Sequence, residues 1–143
     1  MSTDGASSST PRVRAIRPRD DVSTKQGLPY FLGVSAQTAG SRGLSMHMVA
    51  IPPGARSAPH SHRAYETAIY LLEGRVQTRY GDGLRESVVS EAGEFLFIPP
   101  GVPLEAINLS ATEWARAIVA RNDAAEQENV EPYCTGEDRR AQD

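Results

Sequence analysis

His60 and His62 stand two residues apart in the stretch APHSHRAYETAIYLLEG, residues 58–74, and Glu66 follows four residues after His62. In a strand, residues two apart point to one face, so both imidazoles face inward or both face outward. Side by side they form a chelate for a borderline divalent metal. Buried without a partner they would be costly, and a metal is one partner that removes the cost. The alternative is a solvated pair on an exposed strand. Glu66 shares their even numbering, but a turn or bulge in between leaves its face open. If it points inward, the set is two histidines and a carboxylate, as used by catalytic zinc and by non-haem Fe(II) oxygenases.

The elements that must position these residues read as short strands. "PYFLGVSA", "LSMHMVAIP", "RSAPHSH", "ETAIYLL", "RVQTRY", "RESVVSE", "EFLFIP", "PLEAINL" and "EWARAIVA" are each bounded by glycine or proline turns. No window of ten or more residues among them holds a 3.6-residue apolar period, which argues against helix. "YGDGL" is a hairpin signal, since Asp-Gly tolerates the positive φ of a type I′ turn. Many short strands at regular spacing predict an all-β antiparallel sandwich or barrel. Residues 1–11 are small and polar and read as a disordered tail. Residues 12–122 are the barrel domain, and residues 123–143 read as a polar C-terminal tail outside the core.

His47, on "LSMHMVAI", is a further candidate ligand if it points inward. If its neighbours Met46 and Met48 are core filler, it points away; a core histidine bonded to backbone is the other alternative. Tyr70 shares the parity of Glu66. It is either a proton-transfer group lining the same cavity or a plain core tyrosine. Trp114 reads as packing at the start of the last strand.

Around His60 the chain reads G-x5-H-x-H-x3-E-x7-G, from Gly54 to Gly74. This resembles the first motif of the cupin family, G-x5-H-x-H-x3–4-E-x6-G. "GEFLFIPPGVPLEAIN", from Gly93 through Pro99 and Gly101 to Asn108, resembles the second, G-x5-P-x-G-x2-H-x3-N, with Leu104 where that motif has histidine. The resemblance covers roughly residues 44–110, and it implies a double-stranded β-helix, the jelly-roll cupin barrel. It also implies His60, His62 and Glu66 as ligands of one divalent transition metal, zinc or iron, with Leu104 and Asn108 lining the pocket. Small bacterial metal-dependent cupins, including aromatic polyketide cyclases of about this length, are part of it. Lewis-acid and proton-transfer chemistry on a small oxygen-rich substrate is therefore the first expectation. Fe(II)-dependent dioxygenation and metal-free ligand binding are the alternatives.

Composition narrows the partners. Hydrophobic residues make up 39%, enough for one core, and the net charge of −3 gives no basic face for nucleic acid. The single cysteine, Cys134, permits no intrachain disulfide. The longest apolar run, "AIYLL", is far below the ~20 residues that span a bilayer. The N-terminus has no signal-peptide pattern. The expectation is a cytoplasmic protein with a small-molecule substrate, no nucleic-acid or membrane partner, and a homodimeric state.

Overall fold

A computed structural model describes residues 11–18, 27–125 and 130–134. The expected disordered tail lies outside these residues apart from Pro11. The described strands are β1 (Tyr30–Val34), β2 (Ser45–Ile51), β3 (His60–His62), β4 (Thr67–Glu73) and β5 (Arg75–Tyr80). They continue with β6 (Glu86–Glu91), β7 (Phe95–Ile98), β8 (Leu104–Asn108), β9 (Ala115–Arg121) and β10 (Val130–Pro132). A four-residue helix, α1 (Ala36–Ala39), follows β1. Two antiparallel five-stranded sheets result, ordered β1-β2-β9-β4-β7 and β10-β3-β8-β5-β6. This is the all-β antiparallel sandwich that the strand pattern predicts, in the jelly-roll form that the motif resemblance implies. None of the described helices is long and apolar enough to cross a membrane.

Strand alternation builds the core. Along β9, Ala115, Ala117, Val119 and Arg121 are buried, while the residues between them are half-buried. Leu28, Tyr30, Val49, Ile51, Leu71 and Val76 close around them from both sheets. Gly74 sits at the β4–β5 turn with φ 95°, and a Cβ there would lie 2.7 Å from that of Ala115. Only glycine fits both the backbone angle and the close approach.

Two connections depart from the sequence reading. β5 and β6 are joined through residues 81–85 rather than by a two-residue turn, because Leu84 is drawn into the interior at φ 57°. The segment after Asn122 also contributes a strand. β10 pairs with β3 through Val130 opposite His62 and Pro132 opposite His60, and Val130 is buried. A three-residue strand with one apolar side chain carries almost no periodic signal, so the polar residues around it mask it.

Candidate functional site

β3 carries the two histidines inward. Its register sets His60 opposite Leu104 of β8, and the Ser57 Oγ accepts from the Ala106 amide at 2.9 Å to hold the approach to the strand. The amide of Gly101 donates to the His62 carbonyl at 2.7 Å, which ties the β7–β8 turn to the same strand. His60 is 4% exposed and His62 1%, with ring centroids 4.8 Å apart and the planes near perpendicular. The solvated alternative is therefore not the one realised. Both rings line a cavity of about 70 Å³ between the sheets, with Val49, Ile69, Leu71, Leu104 and Arg121 among its walls.

Each imidazole is held by Nδ1. That of His60 donates to the Ala58 carbonyl at 2.7 Å, which leaves a lone pair on Nε2 of the neutral ring. That of His62 shares a 2.5 Å hydrogen bond with the Tyr65 hydroxyl, and its Nε2 is fully buried with no partner. Burial is the main reason both pKa values fall, to about 4 for His60 and about 2 for His62. The nearby charge of Arg121 pushes both further down.

Arg121 is the residue that the sequence reading passed over. It ends the inward row of β9, 6% exposed, with Nε donating to Thr67 Oγ1 at 3.2 Å and Nη1 to the Tyr30 hydroxyl at 2.9 Å. Its guanidinium carbon lies 5.8 Å from the centre of the Tyr65 ring. The signal was present in the alternation Ala115, Ala117, Val119, Arg121, whose fourth inward place is charged.

Glu66 does not join the histidines. Tyr65 and Thr67 are buried, and Glu66, between them, is turned outward and exposed, its amide donating to Asn122 Oδ1 at 2.8 Å. With six residues between it and Gly74, the commoner spacing of the first motif, the ligand position falls on Thr67 rather than Glu66. Tyr70 shares the outward parity: Ile69 and Leu71 line the cavity, and the Tyr70 ring stacks 4.7 Å from that of Phe95 on the outer face. His47 is buried but lies outside the cavity wall, and its Nδ1 accepts from the Gly33 amide at 2.9 Å, where β1 bulges. Met46 on the opposite face is exposed. Leu104 does line the cavity beside His60. Asn108 is buried elsewhere. Its Nδ2 donates to the carbonyls of Ile51, Pro52 and Glu113, and its Oδ1 accepts from the Ser110 amide, so it locks the β8–β9 connection.

The fit to a metal can now be judged. Nδ1 engaged and Nε2 left over is the orientation of metal-bound histidines. The other positions do not complete a site, because Thr67 is bound to Arg121 and Leu104 is aliphatic. No group of three histidine, cysteine or acidic side chains comes together among the described residues. Catalytic zinc draws on three protein ligands. Two nitrogens beside a fixed guanidinium do not fit a tightly held divalent cation.

A second hollow of about 370 Å³ opens between β6 and β7 and shares Thr78, Leu96, Ile98 and Leu104 with the inner cavity. Tyr80, Val88, Phe97 and Val102 line its outer part. The arrangement is thus a small, mostly apolar chamber with one polar focus at His60, His62 and Arg121, behind a second apolar hollow.

Two packed antiparallel sheets around an inward histidine pair define the class, a jelly-roll barrel with an internal cavity. The cupin-domain family model matches residues 47–120, and the chain belongs to the cupin family. No curated protein matches the chain in sequence. Among solved structures it is similar to oxalate oxidase in complex with glycolate, at 25% identity and TM-score 0.61, covering 73% of this chain and 55% of that one. It therefore spans little more than half of that relative's length. Lactobacillus farciminis oxalate decarboxylase in a formate complex matches at 14% identity and TM-score 0.63, over 78% of this chain and 32% of that one. The Schizosaccharomyces pombe Cnp3 cupin domain matches at 14% and 0.58, over 71% and 64%. The last two likenesses concern the fold alone.

Proposed function

We propose that the chain is a small-molecule-binding cupin that takes an organic acid without the help of a resident metal. The head of the ligand sits in the inner chamber against His60, His62 and Arg121, and its apolar body extends past Leu104 into the outer hollow. The observation that carries this reading is the Nε2 atom of His62, an imidazole nitrogen fully buried on the cavity wall and lacking a partner. An unsatisfied buried polar atom costs about 1–3 kcal/mol, which a ligand oxygen or hydroxyl at that point recovers. A fixed cation beside the rings favours an oxyanion over a neutral head. The volumes set the shape. About 70 Å³ is half of the ~150 Å³ that accommodates benzene, so the head is compact and the bulk lies outside it. The similar oxalate oxidase holds glycolate, a head of that size.

The metal-dependent chemistry that the resemblance implies, Lewis-acid cyclisation of a polyketide or dioxygenation at iron, requires a third donor that the described residues do not bring to the histidines. The two readings separate in one experiment. Untagged protein is analysed for metals, treated with EDTA, and titrated calorimetrically with glycolate and with 2-hydroxyoctanoate. The expected result is sub-stoichiometric metal, tighter binding of the longer acid, and at least a tenfold loss of affinity in His62→Ala. Stoichiometric zinc or iron, or binding abolished by EDTA, would decide for the metal-dependent enzyme.

A further inference from the structure

The two imidazoles of the cavity are not interchangeable, because their Nδ1 partners differ in kind. His60 Nδ1 meets the carbonyl oxygen of Ala58 at 2.7 Å, and a carbonyl only accepts. The proton of this ring is therefore on Nδ1, and its Nε2 carries a lone pair alone. His62 Nδ1 meets the Tyr65 hydroxyl at 2.5 Å. Of such a pair the phenol is the better donor and the imidazole nitrogen the better acceptor. The Arg121 guanidinium carbon, 5.8 Å from the centre of the Tyr65 ring, strengthens the phenol as a donor by its charge. The proton of His62 is then on Nε2, the buried atom that lacks a partner. One ring presents an acceptor without a proton, the other a donor without a lone pair. Burial keeps both rings neutral at neutral pH, so this pattern is fixed in the folded chain.

The remaining polar side chains of the wall make His60 the demanding member. Arg121 is a donor only. Tyr30, Ser57, Thr78 and Ser90 are hydroxyls, which donate or accept as the partner requires. No carboxylate lies on the wall among the described residues. Among these side chains, His60 alone requires a proton from its ligand.

We infer that the chamber selects acids with a hydroxyl on the carbon next to the carboxylate, 2-hydroxy acids, and that His60 is the residue that reads the hydroxyl. The inference rests on the acid-binding function proposed above. The carboxylate takes the Nε2–H of His62 and the charge of Arg121, while the hydroxyl donates to His60 Nε2. The ring centroids are 4.8 Å apart, so the two histidines serve neighbouring atoms of one small head. A plain carboxylate, or the carbonyl of a 2-oxo acid, sets an oxygen lone pair against that of His60. The nitrogen then loses water and gains no bond, and a site built around a hydroxyl rejects analogues that lack it.

Calorimetric titration of the full chain with four acids of one chain length is the test: 2-hydroxyoctanoate, octanoate, 2-oxooctanoate and 2-methoxyoctanoate. The hydroxy acid is expected to bind at least tenfold more tightly than each of the others. His60→Leu is expected to bring the hydroxy acid level with octanoate, both still bound, with circular dichroism reporting its fold. Nitrogen-15 correlation spectra of the wild-type imidazoles at pH 7.5 address the same point without ligand or substitution. They are expected to show the proton of His60 on Nδ1 and that of His62 on Nε2. Octanoate bound as tightly as its 2-hydroxy counterpart overturns the inference and leaves acid binding standing, as does a preference that survives in His60→Leu. A proton on Nε2 of His60 overturns it too. Binding of none of the four acids overturns this inference and the proposed function together.

Discussion

Whether a side chain serves the site is decided here by single steps of strand parity. His60 and His62 share an inward face, and Tyr65 and Thr67 resume it after the turn, which leaves Glu66 outside. A slip of one residue exchanges the faces of a whole strand. Because the folded chain holds both rings neutral, its stability depends on pH in one direction. With folded pKa values of about 4 and about 2 against 6.5 unfolded, the unfolded state binds more protons as pH falls below 6.5. Stability is complete above about pH 6.5 and declines toward pH 4, by on the order of 1 kcal/mol per unit for each histidine. Urea midpoints measured from pH 7.5 to 4.5 are expected to show this slope in the wild type and a flatter one in His60→Gln/His62→Gln. At Leu104, opposite His60 on the cavity wall, Leu104→His adds a third imidazole to the pair. Cobalt titration followed by visible absorption should show at least tenfold tighter binding than in the wild type; equal affinity would mean that the new ring does not reach the other two.

Two elements hold the site in ways their length does not suggest. β3 has three residues and meets β8 at one register pair, so its position depends on β10 along its other edge and on the Gly101 amide at the His62 carbonyl. Truncation after Asn122 removes β10 and the buried Val130. It is expected to lower Tm and to weaken ligand binding together, and a truncated chain that keeps both would show that β3 stands unaided. At the β4–β5 turn, Gly74→Ala forces a side chain against Ala115 at a positive φ. The cost is about 3 kcal/mol or more, which thermal denaturation should register as a loss of roughly 10 °C.

For the molecule as a whole, the two sheets divide the work. Their inner faces enclose the histidine cavity, one outer face is charged, and the other is apolar across two full rows.

Local chemistry was enough to determine the fold of this protein. Glycine and proline punctuation, period-2 alternation and the two glycine-bounded motifs are short-range properties, and they specify the strands and the barrel wherever the chain is read. The histidine pair was legible for the same reason, since two residues on one strand share a face whatever surrounds them. Only the tertiary structure decided what faces the pair. Arg121 is 59 residues beyond His62, and the two meet because β9 and β3 lie in opposite sheets. Thr67 rather than Glu66 turns inward because the turn after His62 sets the parity of β4, and no periodic rule extends through a turn. β10 is a strand by virtue of its neighbour β3 and not of its own composition. Spacing therefore marked the histidine pair, and contacts made across the barrel set Arg121 and Leu104 beside it.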